Sequence, residues 1–206
     1  IYNLLIMKKI VTILIILLGS QLVIFSQCLT DGITFTNQTQ IDNFQTDYPG
    51  CSEIVGDVTI TGDSVYNLLG LSNVTSIGGY LYFNNCDSIN NLNGLDQLAT
   101  IGKYLNISGC DLLETLNGLA NLDSINDGLT LSGNNNLTNI ESLSGLSYLS
   151  GPIFIVSNIN LSSLNGLQVL TVSTEGIIIE ENHLLQYISA LNGLAEINGS
   201  IEITNN

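Results

Sequence analysis

Residues 104–127 read YLNISGCDLLETLNGLANLDSIND, and the chain repeats this pattern several times. Leu105 and Ile107 alternate with polar neighbours, which is typical of a strand with one buried face. The apolar residues that follow are spaced by three: Leu113, Leu116, Leu119, Leu122 and Ile125. This spacing fits neither a strand nor a regular α-helix. It predicts short 3₁₀-like or bent extended segments that turn every third side chain inward.

The repeats have a nearly constant length. Repeats of 24 residues occupy 80–103, 104–127, 128–151, 152–175 and 176–199, and a 23-residue version occupies 57–79. Fixed self-similarity of this length indicates a solenoid. We therefore predict an all-β solenoid of parallel strands over 57–206.

Aligning the repeats produces columns of inward residues. One strand column is Val58, Leu81, Leu105, Leu129, Ile153, Ile177 and Ile201, and a column from the turns is Leu71, Leu95, Leu119, Leu143, Leu167 and Leu191. Stacking of such columns would bury each repeat against the next. A last column, Ile77, Ile101, Ile125, Leu149 and Ile197, is interrupted where Val172 comes one residue early. We expect a local distortion there.

A polar column follows the long strands: Cys86, Cys110, Asn134, Asn158, Asn182 and Asn206. Leucine-rich solenoids use asparagine or cysteine at such a point to satisfy backbone groups inside the turn. Cys86 and Cys110 lie one repeat apart, within reach of a disulfide if their side chains point suitably. The sequence leaves two alternatives for them, buried thiols or a second disulfide.

The N-terminal segment 1–27 has the features of an export signal. Met7 is the only methionine and the expected start. Lys8 and Lys9 precede an apolar run from Ile10 to Phe25, which predicts a signal peptide cleaved near Ser26 or Gln27. A membrane anchor is the alternative, but the run is short for a span of about 20 residues. Lipidation at Cys28 is disfavoured because Gln27 is larger than the small residue expected before it.

Residues 28–56 depart from the repeat and are predicted to form an N-terminal cap. Ile33 and Phe35 alternate as in a strand, and Thr36 or Asn37 could begin a short helix that carries Ile41 and Phe44 inward. Cysteines at positions 28 and 51 bracket the segment. In an exported chain this arrangement predicts a Cys28–Cys51 disulfide that closes the cap.

Composition excludes several classes of function. After residue 27 the chain has 18 acidic residues and one basic residue, Lys103, so its formal net charge is −17. Such a surface repels nucleic acid and anionic membranes, and we expect no membrane insertion after signal removal. No catalytic site is predicted, because the single histidine, His183, has only Glu180 and Glu181 beside it. No metal site or cofactor is expected either.

The repeat type LNGLxxLxxIxxxLxI, preceded by YPGCSEIVGDVTITG, resembles the receptor L domain and its bacterial secreted relatives. The resemblance covers about 28–206. It implies a right-handed parallel β-helix, leucine-rich-repeat-like, with a disulfide-closed cap and a role in binding or adhesion. The receptor family closes its domain with a cysteine-rich segment, whereas this chain stops at Ile203-Thr204-Asn205-Asn206. We therefore expect a longer natural protein, and end-to-end self-association of the uncapped chain.

The outward strand positions are the candidate binding surface. They form the series Thr59, Tyr82, Asn106, Thr130, Phe154, Ile178 and Glu202, with Tyr80 and Tyr104 beside it. Aromatic rings separated by Asn and Thr on a rigid sheet suit a sugar or a protein partner. The predicted ligand-binding residues are Tyr80, Tyr82, Tyr104, Asn106, Phe154 and Ile178.

The predicted function is that of an extracellular or cell-surface adhesion module that recognises protein or glycan. A structural spacer in a larger secreted protein is the alternative. A polysaccharide-cleaving β-helix enzyme is a third interpretation, disfavoured because such chemistry on acidic sugars needs cationic side chains, and Lys103 is the one basic residue after residue 27.

Overall fold

A computed structural model describes residues 26–173 and 175–206. The predicted signal peptide before Ser26 lies outside the described residues. The described part is mostly β-strand: β1 Ser26–Cys28, β2 Ile33–Phe35, β3 Cys51–Ile54, β4 Val58–Thr61, β5 Ser76–Ile77, β6 Leu81–Asn84, β7 Thr100–Ile101, β8 Leu105–Ser108, β9 Ser124–Ile125, β10 Leu129–Ser132, β11 Tyr148–Leu149, β12 Ile153–Val156, β13 Val172–Ser173, β14 Gly176–Glu180, β15 Glu196–Ile197 and β16 Ser200–Thr204.

The helical segments in the described part are short. Two α-helices, α1 Gln38–Asp42 and α2 Phe44–Asp47, lie near the N-terminus. Three 3₁₀ helices follow, at Leu69–Leu71, Glu141–Leu143 and Ser189–Gly193. The 3₁₀ segments occur where apolar residues are spaced by three, as that spacing predicts.

The strands alternate between two parallel sheets. The longer strands form an eight-stranded sheet in the order β16-β14-β12-β10-β8-β6-β4-β2. The register is regular, since Leu129 of β10 pairs with Leu105 of β8 on one side and with Ile153 of β12 on the other. The all-β, parallel class predicted from the repeats is therefore confirmed.

The shorter strands form the second sheet, which is interrupted once. Six strands follow the order β1-β3-β5-β7-β9-β11, and β13 and β15 form a separate pair. In that pair Val172 lies opposite Glu196 and Ser173 opposite Ile197. A serine thus takes the register position that aliphatic residues hold in the other repeats. The break in the sheet lies where the sequence predicts a distortion.

The N-terminal segment adopts the predicted strand and helix. Asn37 caps α1, its Oδ1 accepting a hydrogen bond from the Gln40 backbone N–H at 3.2 Å. Ile41 and Phe44 are buried, and the Phe44 ring meets the edge of Phe35 at 5.8 Å between centroids. Helices α1 and α2 both contact the 3₁₀ helix Leu69–Leu71, which places the segment against the first repeat.

A disulfide joins Cys28 of β1 to Cys51 of β3, with their Cα atoms 5.7 Å apart. This confirms the predicted pair. Gln38 connects the same segment to the first repeat: its Oε1 accepts from the backbone N–H groups of Tyr66 and Asn67 at 3.0 and 3.1 Å. The disulfide therefore closes the N-terminal segment on itself, and the hydrogen bonds of Gln38 attach it to the first repeat.

The core consists of the predicted inward columns. Leu119 is fully buried, as are Leu95 and Leu143 in the same column. Both inward residues of each long strand from β4 to β14 are buried as well. Close packing of aliphatic side chains between successive repeats is the main stabilising feature of this structure.

The asparagine column forms a buried hydrogen-bond ladder. The backbone N–H groups of Asn134 and Asn158 donate to Oδ1 of Asn158 and Asn182 at 3.1 and 3.0 Å. Each Nδ2 group donates to a carbonyl oxygen of the preceding repeat, for example from Asn158 to Leu131 at 2.9 Å. The column has the structural role predicted for it, because each carboxamide satisfies backbone groups that water cannot reach.

A backbone turn after each long strand directs the side chains of the asparagine column into the interior. The residue after each long strand from β4 onward has a left-handed conformation: Gly62, Asn85, Gly109, Gly133, Ser157, Glu181 and Asn205. The chain therefore turns sharply there, and from Asn85 onward the next residue is the ladder position. Glycine at three of these places avoids the steric cost of a positive φ.

Cys86 and Cys110 occupy the N-terminal positions of the ladder as buried free thiols. Of the two alternatives that the sequence leaves open, the structure contains the thiols and not a second disulfide. Cys86 Sγ donates to the carbonyl of Ile60 at 3.1 Å, as an asparagine Nδ2 does elsewhere. Hydrogen bonding from Cys110 lowers the pKa of Cys86, and the same interaction together with burial raises the pKa of Cys110.

The edge strand β16 exposes apolar side chains. Ile201 and Ile203 are 55% and 39% exposed. Leu191, Leu194 and Ile197 nearby are only partly buried. No helix among the described residues is long and apolar enough to cross a membrane.

Candidate binding site on the eight-stranded sheet

The predicted outward residues lie side by side on one face of the eight-stranded sheet. Tyr82 pairs with Thr59 and Asn106, and Phe154 pairs with Thr130 and Ile178. All six side chains are half-buried. Parallel pairing in register places them in a row across the strands, with neighbours separated by about 4.8 Å.

Two tyrosines form a stacked pair at the N-terminal end of this row. The Tyr80 and Tyr82 rings are nearly parallel, with an interplanar angle of 9° and centroids 5.1 Å apart. Lys103 Nζ lies 4.6 Å from the centroid of the Tyr80 ring. The Tyr80 backbone N–H donates to Asp57 Oδ1 at 2.9 Å. Stacking on Tyr82, the contact with Lys103 and the backbone hydrogen bond to Asp57 together fix the position of Tyr80.

Tyr104 is placed by a glycine in the next repeat. A Cβ atom added to Gly128 would lie 2.3 Å from Cε2 of Tyr104, so the ring packs where a larger residue would have its side chain. Thr130 Oγ1 donates to the Tyr104 hydroxyl at 3.3 Å. Tyr104 therefore lies along the sheet towards Thr130 and covers Gly128, rather than pointing into solvent.

A depression of about 320 Å³ lies beside Tyr82. Its lining residues are Thr59, Tyr82, Phe83, Asn84, Asn106 and Ser108. Ser108 Oγ donates to Asn106 Oδ1 at 2.6 Å. The Nδ2 group of Asn106 makes no hydrogen bond in the described part of the protein. The same holds for the hydroxyl of Thr59 and the side chain of Asn84.

Of the six predicted ligand-binding residues, Tyr82 and Asn106 line the depression, and Tyr80 stacks on Tyr82. Tyr104 lies over Gly128 and does not line it. Phe154 and Ile178 lie on the same face, beyond Thr130, and do not line the depression. Asn84 and Ser108 were not predicted. Each stands two residues after an outward residue on a four-residue strand, and that spacing is the sequence signal that could have identified them.

Electrostatics around the tyrosines are negative. Burial raises the pKa of Tyr82, and the nearby Tyr80, Asp57, Tyr104 and Asp127 raise it further. Burial also raises the pKa of Tyr104, as do Asp127 and Glu175, against the opposing effect of the hydrogen bond from Thr130. Both rings are thus neutral at physiological pH. Lys103 is the one lysine in the described part of the chain, which contains no arginine.

Other chemically reactive groups lie apart from this depression. His183 is exposed, and Glu181 accepts a hydrogen bond from Ser157 Oγ at 2.7 Å. Among the residues that the structure describes, no group of three or more His, Cys, Asp or Glu side chains is placed to hold a metal ion.

Comparison with protein-family models, with curated proteins and with solved structures finds no significant match to this chain. The resemblance to the receptor L domain therefore depends on the repeat pattern alone. The features that bear on function are the side chains on the outward face of the eight-stranded sheet.

Proposed function

We propose that this protein is a non-enzymatic binding or adhesion module that recognises a protein or a glycan through the outward face of its eight-stranded sheet. The observation that carries the proposal is the depression beside Tyr82. It combines an aromatic ring stacked on a second ring with polar groups that have no hydrogen-bond partner among the described residues, namely Asn106 Nδ2 and the side chains of Thr59 and Asn84. Such groups on a stiff framework lose little entropy when a ligand binds.

We also infer that the two sheets are faces of a right-handed solenoid of the receptor L-domain type. Strands alternate between the sheets, and each long strand after β6 pairs with the equivalent strand 24 residues further along the sequence. The cap is the segment 28–56, and its disulfide is compatible with an extracellular location. Together with the export signal expected in 1–27, this supports a secreted or surface-attached protein.

Binding can be tested with the double variant Tyr82→Ala/Tyr104→Ala. The recombinant protein, displayed on beads, would be presented to a glycan array and to surface proteins from its source. We expect the wild type to bind a ligand and the double variant to lose about 1 kcal/mol or more for each ring removed. Unfolding curves of both proteins should superimpose, so that lost binding is not lost structure. Equal binding by wild type and variant would contradict the proposal.

A structural spacer is the second candidate function. The outward face includes residues of high β-propensity, Thr59, Thr130 and Ile178, whose presence needs no ligand to explain it. An in-register sheet is also a stiff element that could separate other domains. A spacer has no ligand, so retained affinity in the double variant, or the absence of any ligand, would favour it. The enzyme alternative requires turnover of an acidic polysaccharide, and Lys103, the one lysine in the described part of the chain, lies over Tyr80.

A further inference from the structure

We propose that the depression beside Tyr82 binds an uncharged oligosaccharide. The proposal rests on the binding function proposed above and specifies the class of ligand. The ring of one sugar would stack on Tyr82, and its hydroxyl groups would hydrogen-bond to Thr59, Asn84 and Asn106.

The depression combines the aromatic ring of Tyr82 with polar side chains. Tyr80 covers one face of Tyr82, at 5.1 Å between centroids, which leaves the Tyr82 ring a fixed platform at the wall of the depression. Sugars present C–H groups on one face of the ring and hydroxyl groups around its edge. An aromatic ring beside free amide and hydroxyl groups matches both surfaces at once.

Several polar groups of the depression lack a hydrogen-bond partner among the described residues. Ser108 Oγ donates to Asn106 Oδ1 at 2.6 Å, which fixes the carboxamide with its Nδ2 donor unpaired. Thr61 Oγ1 donates to the Asn84 carbonyl at 2.9 Å and so holds the backbone at that strand end. The side chains of Thr59 and Asn84 remain uncommitted. Donors and acceptors that are positioned but unpaired are what confer specificity on a small-molecule site.

The charge around the depression disfavours an anionic ligand. All six residues that line the depression are uncharged. Asp57 and Asp127 are close enough to raise the pKa of Tyr82, and Lys103 is engaged with the Tyr80 ring at 4.6 Å. A uronic acid or a sulfated sugar would therefore meet negative potential and no available cation. An uncharged sugar avoids that repulsion.

The size of the depression suits a short oligosaccharide. The volume of the depression, about 320 Å³, lies at the lower end of the range for ligand pockets, which begins at about 300 Å³. Thr59, Tyr82 and Asn106 span two strand separations, about 10 Å, which is the length of a disaccharide. A protein partner would instead need roughly 800 Å² of surface with an apolar centre. The mixed lining, with the aromatic ring of Tyr82 beside the polar side chains of Thr59 and Asn106, favours the sugar.

The test is isothermal titration of the full recombinant protein with two panels of oligosaccharides. The uncharged panel contains gluco-, manno-, xylo- and N-acetylglucosamine oligomers. The anionic panel contains oligogalacturonates and sulfated oligosaccharides of equal length. We expect binding from the uncharged panel only. Preferred binding of an anionic sugar, or no binding from either panel, would overturn the assignment of ligand class.

Variants locate the site on the sheet. Tyr82→Ala and Asn106→Ala should each weaken binding of the best oligosaccharide by about tenfold or more. Tyr82→Phe keeps the ring and should stay within about threefold of wild type. It also guards against a folding defect in the alanine variant. Tyr148→Ala removes an exposed aromatic ring from the six-stranded sheet, and should change affinity less than about twofold.

The outcomes distinguish failure of the glycan assignment from failure of the proposed binding function. If no sugar binds but a protein ligand is lost in Tyr82→Ala, the glycan assignment fails and the binding function stands. If a sugar binds equally to wild type, Tyr82→Ala and Asn106→Ala, the site is elsewhere and the assignment to this depression is wrong.

Discussion

The two faces of the eight-stranded sheet differ in composition, although neighbouring residues of one strand alternate between them. The inward positions hold aliphatic residues and Phe83, and all are buried from β4 to β14. The outward positions change from Thr59 and Tyr82 to Phe154 and Ile178. An inward side chain must fill a defined space between two repeats, whereas an outward one has no such constraint. The outward face is therefore where function can be encoded without loss of the fold.

The outward face itself has two unlike halves. Near the N-terminus Tyr82 and Asn106 line a depression, and Tyr104 is held over Gly128. Towards the C-terminus Phe154 and Ile178 project from strands of the same kind without lining that depression. Backbone and register are the same in both halves, so side-chain chemistry alone distinguishes the candidate site from the rest of the sheet.

The largest effect of a single substitution is expected in the core. Leu119→Ala should reduce the free energy of unfolding by about 2–5 kcal/mol, because a fully buried side chain leaves a cavity between repeats. Thr130→Ala, on the outward face, should cost less than about 0.5 kcal/mol. Denaturant unfolding followed by circular dichroism measures both values. Equal losses would mean that the two faces do not differ as described.

The cap disulfide should come next in size. Replacing Cys28 and Cys51 together by serine should lower stability by about 2–4 kcal/mol, since the bond closes a loop with a sequence separation of 23. Peptide mapping without reduction should recover the two cysteines linked. The buried thiols Cys86 and Cys110 serve as the matched comparison and should be alkylated only after unfolding. Free thiols at positions 28 and 51 in exported protein would remove this prediction.

The asparagine ladder should contribute less than the cap. Asn158→Ala leaves the Asn134 N–H and the Leu131 carbonyl without their buried partner, at a cost of about 1–3 kcal/mol. Asn165, which is exposed, provides the control: Asn165→Ala should change stability by less than about 0.5 kcal/mol. If Asn158→Ala behaves like the control, the ladder is not a stabilising element.

The weakest effect should be association through β16. The apolar side chains of Ile201 and Ile203 stand at an open sheet edge, and such edges invite pairing with another chain. Negative charge opposes contact between copies, and salt screens it within about 8 Å at physiological ionic strength. We propose that a chain ending at Asn206 self-associates more as salt rises, or frays from residue 176 onward. Light scattering across a salt series, with hydrogen exchange by repeat, would detect either; a monomer evenly protected to its last repeat would contradict both.

The sequence predicted those features that depend on burial. The columns around Leu119, the cap helix begun by Asn37 and the interruption near Val172 could all be predicted, because core positions allow few residue types. The stacking of Tyr82 on Tyr80 and the packing of Tyr104 on Gly128 could not. These contacts depend on side-chain rotamers and on a neighbour in another repeat, and a linear pattern carries no information on either.

The tyrosines provide the most direct test of the claim that the N-terminal half of the outward face binds the ligand. With ¹³C-labelled tyrosine rings, NMR spectra would be recorded while the uncharged oligosaccharide panel is added. We predict that the ring signals of Tyr80, Tyr82 and Tyr104 shift, while those of Tyr66, Tyr148 and Tyr187, which are exposed elsewhere, stay in place. Shifts at Tyr148 or Tyr187 that match those at Tyr82, or a Tyr82 signal that does not move when a ligand binds, would contradict the account.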